Sequence, residues 1–322
     1  MAPLGQAKRT TYIETREDGT KVYSAKMDPE WTIMAVPFGG YTMSLVLNAA
    51  IQHQRNTSHD DVIYITSFFV KALTISAERT ELHVKPVRPG KSAGRFTNLK
   101  VDLFQDDVPK VTANLVFGRI STESGPNLPE SHQPICPLKL HPGTVDRFSK
   151  KFPQQKFAKH FEWAADRSVS KDTKDILFGS WTEFADRSGS ETMEADTLAM
   201  FLDITTSPFT VVGAPDPEYA GVDMWYPTVV MTLEFKVKLP LLSDSFAPTT
   251  LGVFSRKSHV RNGRYTDVAE LWTAPCSIGD KEHVVDENWR EKMVCVAVGG
   301  QMGLMVPATL NNRHRSPVQP KL

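Results

Sequence analysis

The sequence predicts an α+β protein built from two similar units in tandem, each an antiparallel β-sheet wrapped around a central helix. Both halves of the chain consist mainly of β-rich runs, and each half has the order strand, helix, then four further strands. A proline-rich stretch from Ser121 to Gly143 separates the halves and shows no sustained period. We therefore expect an N-terminal unit at 1–120, a linker or surface excursion at 121–155, a C-terminal unit at 156–310 and a flexible tail at 311–322.

The central helix of the first half is predicted over "FGGYTMSLVLNAAIQHQ". This segment places Met43, Leu47, Ala50 and Ile51 on one face, and it begins just after a Gly-Gly pair. Four β-rich runs follow it with turn residues between them: "VIYITSFFVKAL", "RTELHVKPV", "GRFTNLKVDLFQ" and "VPKVTANLVFGRI". This pattern predicts an antiparallel meander.

The second half repeats the same order. "FAKHFEWAAD" and "DILFGSWTEFAD" predict strands, and "SETMEADTLAMFLD" predicts a helix with acidic residues in its first turns. Four strands are then expected in "WYPTVVMTLEFKVKLP", "PTTLGVFSRKSHV", "GRYTDVAELWTA" and "EKMVCVAVGGQMGLMV". A helix followed by a long meander predicts a sheet that curls around the helix, and two such units would lay their sheets edge to edge.

Composition narrows the functional class. The 322 residues carry 37 basic and 37 acidic side chains, so nothing favours binding to nucleic acid or to an anionic membrane. The three cysteines are widely spaced, the N-terminus lacks an apolar leader, and no apolar run is long enough to span a membrane. We expect a soluble cytoplasmic protein. The terminal Lys-Leu is similar to a peroxisomal address, but Pro320 argues against its use.

Several catalytic motifs are absent from the sequence. The chain has no G-x-S-x-G elbow, no G-x-x-x-x-G-K-[ST] phosphate loop and no H-x-x-x-H pair among its nine histidines. We therefore expect neither a metal nor a cofactor, and a small hydrophobic molecule as the ligand.

The order of these motifs resembles that of the double hotdog acyl-CoA thioesterases, of the bacterial thioesterase II type. The resemblance rests on "PFGGY" at the first helix, "VRPGKSAGRFTNLKVDLFQ" in the first meander and a glutamine in the last strand, and it covers about Trp31 to Pro307. It implies a tandem hotdog fold and hydrolysis of an acyl-CoA or acyl-carrier thioester. A homo-oligomer is a separate expectation. In that family an aspartate, a hydroxyl residue and a glutamine hold a water, and the matching positions here are Asp203, Thr228 and Gln301.

Asp203 ends the segment "LAMFLD", at the C-terminal end of the predicted second helix. The helix macrodipole disfavours negative charge there, so the pKa of this carboxyl should be raised, as a general base near neutral pH requires. The alternative is a solvated aspartate in the loop that follows.

Gln301 lies in the apolar run "VAVGGQMGLM". A buried amide without partners costs about 1 to 3 kcal/mol, so its side chain must meet something polar. Glycine neighbours leave space for a water or a ligand carbonyl beside it, whereas the alternative is a bond to backbone at a strand irregularity.

Thr228 is the weakest member of the predicted trio. Simple alternation along "PTVVMTLEFKVKL" turns Thr228 to the polar face with Thr232, so it can join the site only if the start of the strand is bulged or if that face meets the other half. Thr232 is the substitute on that face.

Five residues are predicted to contact the substrate: Gly39, Gly40, Tyr41, Thr232 and Gly300. Gly39 and Gly40 precede the first helix, where N–H groups can stabilise an oxyanion, although close packing of helix on sheet would need glycine equally.

A second function remains open at this stage. The same cavity could bind a hydrophobic polyketide or terpenoid intermediate without hydrolysing it, as a carrier or as a cyclase that promotes ring closure by confinement.

Overall fold

The computed structural model describes residues 2–87, 95–147, 155–169, 176–186, 188–205, 207–208, 219, 221–241, 243–283 and 286–312. The α-helices in this part of the chain are α1 Leu4–Ala7, α2 Gly39–Gln54, α3 Leu198–Asp203, α4 Trp289–Lys292 and α5 Thr309–Asn312. Short 3₁₀ helices occupy Ile120–Thr122, Glu130–His132, Pro142–Thr144, Lys156–His160 and Lys281–His283. No helix of the described residues is long and apolar enough to cross a membrane.

Strands make up most of the regular structure. In the first half they are β1 Thr10–Thr15, β2 Lys21–Ala25, β3 Thr32–Ile33, β4 Val36–Pro37, β5 Asp61–Phe69, β6 Thr80–Pro86, β7 Thr97–Gln105 and β8 Val108–Gly118. In the second half they are β9 Phe161–Ala165, β10 Ile176–Phe184, β11 Met224–Trp225, β12 Thr228–Phe235, β13 Thr250–Arg261, β14 Arg264–Thr273, β15 Cys295–Leu304 and β16 Val306–Pro307.

The two halves share one sheet. Its 12 strands run in the order β1-β2-β6-β7-β8-β5-β12-β15-β14-β13-β10-β9, with the first half on one side and the second half on the other. The halves meet where β5 pairs antiparallel with β12, from Phe68 opposite Val230 to Tyr64 opposite Glu234. The two predicted sheets therefore lie edge to edge, and the pairing of β5 with β12 joins them into one. Each joined edge pairs backbone groups that would otherwise be unsatisfied.

Helix α2 is the centre of the first half. It is 16 residues long, about 24 Å at 1.5 Å per residue, and is buried on nearly every side. Its side chains pack against α3 and the curled first-half strands, so they must be apolar almost all round rather than along one stripe. One apolar core runs from these strands through α2 and α3 into the second half.

Helix α3 is shorter than the sequence predicts. The expected helix starts at Ser190, but the structure has α3 only from Leu198 to Asp203. The acidic residues expected in the first turns of this helix contact the N-terminal segment of the chain instead. Glu191 accepts a hydrogen bond from the N–H of Gly5 at 2.6 Å, and both Glu194 and Asp196 pair with the buried ammonium of Lys8. The N-terminal segment of the chain thus holds 191–196 in a non-helical path.

The predicted linker has two parts. Residues 121–135 are exposed, as expected of a surface excursion, whereas Cys136 and Leu138 are fully buried in a second apolar cluster. Leu138 covers β10 and β13 at Gly179 and Gly252, where an added Cβ would lie 2.8 and 2.5 Å from its methyl carbons. The later linker is therefore packed onto the sheet. Residues 148–154 lie outside the described part of the chain.

The predicted flexible tail begins at a fixed residue. Asn311 is fully buried in α5, accepts a hydrogen bond from the N–H of Ala35 at 3.0 Å and donates one to the carbonyl of Ile33 at 3.2 Å. Its side chain ties the end of the second half to the loop before α2. Residues 313–322 lie outside the described part of the chain.

Candidate active site

Asp203, Thr228 and Gln301 converge, although about a hundred residues of sequence separate the first from the last. Asp203 is the last residue of α3, and its Oδ2 accepts a hydrogen bond from the N–H of Gly40 at 2.6 Å. The side chains of Gln301 and Thr228 lie beside this carboxylate and favour its ionised form. The Oγ1 of Thr228 lies 3.1 Å from the Oε1 of Gln301 and donates to it. Helix α3 and strands β12 and β15 of the second half thus meet the first turn of α2 at one point.

Thr228 reaches this point because β12 is bulged. Thr228 lies opposite Gly303 and Val230 lies opposite Met302, so two residues of β12 span one step of β15. The extra residue is Val229, and it reverses the alternation of faces before it. Thr228 therefore shares the inner face with Gln301, whereas simple parity would turn it outward.

Glycine at positions 39 and 40 allows α2 to approach Asp203. A Cβ on Gly40 would lie 2.6 Å from the carbonyl oxygen of Ala199 and 2.9 Å from the Cβ of Asp203. A Cβ on Gly39 would lie 2.9 Å from Oδ2 of the same aspartate. The structure shows the close packing, which brings the N–H of Gly40 to the carboxylate, and the role of these N–H groups toward an oxyanion stays a prediction.

The pKa of Asp203 is raised to about 6. Burial is the largest cause, and the negative charge of Asp267 adds to it, while the N–H of Gly40 and the side chains of Gln301 and Thr228 oppose the rise. The rise has the predicted direction, but its main cause is desolvation rather than the end of the helix. A carboxyl of this pKa is ionised at neutral pH and still accepts a proton readily.

A cavity of about 520 Å³ opens beside the carboxylate, within the range typical of small-molecule sites. Both halves line it, mainly with apolar side chains: Ile33, Phe38, Leu73, Phe157, Ile204 and Trp225. The exposed residues Val70 and Lys71 also line it, so the cavity reaches the surface there. An apolar chain can therefore enter from solvent and end at Asp203, Thr228 and Gln301, which form part of the wall.

Three of the predicted substrate contacts lie elsewhere. Tyr41 is fully buried in the core, and its hydroxyl donates to the carbonyl of Ala7 at 3.2 Å. Thr232 and Gly300 face each other on the outer side of the sheet, where Oγ1 of the threonine lies 3.3 Å from the glycine carbonyl. None of these residues lines the cavity, and the bulge that brings Thr228 inward leaves Thr232 outside.

Sequence reasoning missed a charged pair at the same site. Lys257 lines the cavity and forms a 2.6 Å ion pair with Asp267, both almost fully buried. Alternation along β13 could have located the lysine, because Leu251, Val253 and Ser255 precede it on the buried face. The charge of Lys257 argued against a buried position, since lysine is rarely buried.

Metal-binding side chains do not cluster in the part of the chain that the structure describes. No group of three or more histidine, cysteine, aspartate or glutamate residues is suitably placed there. The three cysteines are free thiols.

Comparison with known proteins identifies the family. Residues 27–118 match the family model described as the acyl-CoA thioesterase N-terminal domain, and residues 136–275 match the acyl-CoA thioesterase C-terminal domain. A curated relative, the ustilagic acid biosynthesis cluster protein orf2 of Mycosarcoma maydis, is 27% identical over 139 residues, which are 42% of this chain and 33% of that protein. The match thus spans a third of the relative's length.

Solved structures show the same fold. A conserved protein of unknown function with a hot dog fold from Alicyclobacillus acidocaldarius superimposes with a TM-score of 0.70 at 18% identity, covering 94% of this chain and 97% of that one. Acyl-CoA thioesterase II TesB2 from Mycobacterium marinum gives a TM-score of 0.63 at 13% identity, covering 98% and 99% of the two chains. With both family domains present in order and this fold around them, the chain belongs to the acyl-CoA thioesterase family.

Proposed function

We propose that this protein hydrolyses an acyl-CoA or acyl-carrier thioester, with Asp203 as the general base. The observation that carries the proposal is the meeting of Asp203, Thr228 and Gln301 at the wall of an apolar cavity that both halves line. The family supplies the general activity, and the geometry suggests how this chain would perform it.

Each polar group has a role in the proposed reaction. A water held by Thr228 and Gln301 attacks the thioester carbonyl while the Asp203 carboxylate takes its proton. The tetrahedral intermediate then collapses, the carbon–sulfur bond breaks, and protonated Asp203 returns the proton to the leaving thiolate. The products are a carboxylic acid and a free thiol, and no covalent enzyme intermediate forms.

The first turn of α2 serves this reaction from the other half. The N–H of Gly40 holds the carboxylate in place, and the positive end of the helix favours negative charge as it passes from Asp203 to the carbonyl oxygen. The acyl chain would lie against the apolar wall, with the thiol portion leading to the opening at Val70 and Lys71.

The test is thiol release from a series of acyl-CoA substrates of different chain length, carried out in ¹⁸O-labelled water. The proposal expects free CoA in step with a carboxylic acid that contains one ¹⁸O atom. If no chain length yields free thiol above the uncatalysed rate, from acyl-CoA or from the matching acyl-carrier thioesters, the protein is not a thioesterase.

A second candidate has one observation in its favour. The Mycosarcoma maydis relative is named for a biosynthetic gene cluster, and a cavity with a mainly apolar wall could hold a biosynthetic intermediate without cleaving it. Under that function the cavity binds or cyclises a hydrophobic intermediate, and the substitution Asp203→Asn leaves the product unchanged. Loss of thiol release in that variant favours the hydrolase.

A further inference from the structure

Three polar side chains stand in one row across the second half of the sheet. Lys257 on β13 lies opposite Asp267 on β14, and Asp267 lies opposite Gln301 on β15. Residues opposite one another in a sheet share a face, so the row points to the same inner side as Gln301. Lys257 is 2% exposed and Asp267 is 1% exposed. The row thus extends the proposed active site by a buried ion pair that the hydrolysis scheme does not use.

The lysine is held in a fixed position. Its Nζ donates to Oδ2 of Asp267 at 2.6 Å, to Oγ of Ser255 at 3.1 Å and to Oγ1 of Thr205 at 3.1 Å. Thr205 in turn donates to Oδ2 of Asp267 at 2.9 Å, and it follows Asp203 by two residues. All three N–H groups of the ammonium therefore have acceptors. One acceptor, Thr205, belongs to the segment that follows Asp203 in the chain.

Fold stability is a poor reason for this pair. Two charges taken out of water lose their hydration, and replacing a buried ion pair by apolar residues is often neutral or stabilising. Oδ1 of Asp267 is also buried, with no hydrogen-bond partner among the described residues, which adds to the cost. The pair is thus a poor source of stability, and its lysine lines the cavity, which points to a role for Lys257 in that cavity.

Charges around Asp203 come from the second half. Asp267 raises the pKa of Asp203, whereas Lys257 and Asp203 attract each other, since the carboxylate raises the pKa of the ammonium against the lowering effect of burial. Tyr265 on β14 also faces the carboxylate, and the pKa of its phenol is raised chiefly by burial and then by the negative charges of Asp267 and Asp203. From the first half the facing residues are Gly39 and Gly40, which bring no charge, and Lys71 stands at the cavity opening.

We propose that Lys257 is a positioning residue of the active site: held by Asp267 and Thr205, it fixes a positive charge beside Asp203 and keeps that carboxylate in its water-activating form. This inference rests on the proposed hydrolase function. Asp267 holds the ammonium in place, and the carboxylates of Asp267 and Asp203 both favour its charged form in the buried position. The two charges act on Asp203 with opposite sign, so removing one or the other must have opposite effects.

The pH dependence of kcat/KM for thioester cleavage tests the opposite signs. Without the positive charge in Lys257→Met, ionising Asp203 becomes harder and the acid limb moves up by about one pH unit. Without the negative charge in Asp267→Asn, the limb moves down. Lys257→Gln, which keeps a hydrogen-bond donor, should shift the limb up as Lys257→Met does and serves where the methionine variant does not fold. If activity falls while the midpoint stays at the wild-type pH in every folded variant, the role is structural and the proposal fails.

Two controls separate this result from other causes. Lys8→Met removes the cation of another buried cluster, with Glu194 and Asp196, and should cost stability without moving the acid limb. The ionisation of Asp203 can also be followed without turnover, by ¹³C NMR of labelled aspartate assigned with Asp203→Asn. If the wild-type protein cleaves no thioester, the hydrolase function fails, and the NMR midpoints still decide whether Lys257 and Asp267 control the carboxyl. Unchanged NMR midpoints overturn the inference whatever the activity.

Discussion

The same row of the sheet has opposite character in the two halves. In the second half it carries Gln301, Asp267 and Lys257. The row reaches the junction at Met231 on β12, and in the first half it carries small or apolar residues, all fully buried: Ser67, Ala113, Val101 and Val84. One position in a repeated fold thus serves packing on one side and holds charged groups on the other.

The central helices explain the difference. Helix α2 continues for 16 residues over the inner face of the first half, so the row beneath it must be apolar to be buried without cost. Helix α3 ends at Asp203, and beyond it Ile204 and Thr205 line the cavity together with Lys257. A helix that ends early leaves room where polar side chains can face a ligand. The first half contributes the N-terminal end of α2 to the site, and the second half contributes the C-terminal end of α3.

The largest effect is expected from Asp203→Asn. This change removes the base while keeping the side-chain shape, so kcat should fall by about 10²–10⁴-fold with the circular dichroism spectrum unchanged. The matched variant in the first half is Ser67→Ala, at the row position whose hydroxyl donates to the sulfur of Met43. It should leave kcat at the wild-type value. Equal losses in both variants would contradict the assignment of catalysis to the second half.

A smaller effect is expected where the halves touch. Gly40→Ala places a methyl group against the backbone of α3, so overpacking should cost about 1 to 3 kcal/mol in the free energy of unfolding and lower kcat by displacing Asp203. Gly125→Ala is the control, because its Cβ meets no atom within 4 Å. Urea unfolding and thiol release measure both consequences. Wild-type kcat in a folded Gly40→Ala protein would show that the contact with α2 does not position the base.

The last prediction concerns how the free energy of unfolding depends on pH. The folded pKa of Asp203, about 6, lies above its unfolded value of about 3.9, so the native state holds this proton more tightly. The stabilisation is fully present below about pH 4 and is lost as pH rises to about 6. Asp203→Asn should therefore gain stability relative to wild type over this window, by about 3 kcal/mol in urea unfolding. Ser67→Ala should show no such pH dependence, and a gap for Asp203→Asn that is the same at pH 4 and pH 8 would count against the raised pKa.

The sequence predicted the architecture better than the details of the site. The Gly-Gly pair and the helical period located α2, because both are local features. The facing of Thr228 could not be obtained from alternation, since one extra residue at Val229 reverses it, and a bulge is defined by the partner strand rather than by the strand itself. The shortening of α3 could not be predicted for a similar reason: the acidic residues before it pair with Lys8, which is nearly two hundred residues away.

The continuous sheet has a consequence for assembly. Cutting the chain within the exposed segment 121–135 and separating the halves would give each half a new open strand edge, β5 or β12, and each of these edges could pair with a copy of itself. A pair of first halves would contain no Asp203, and a pair of second halves would lack the N–H of Gly40. Only the mixed pair forms the site, and it would have to compete with both of the others. Joining the halves in one chain raises their effective concentration for each other, so the linker acts as a device for choosing the partner.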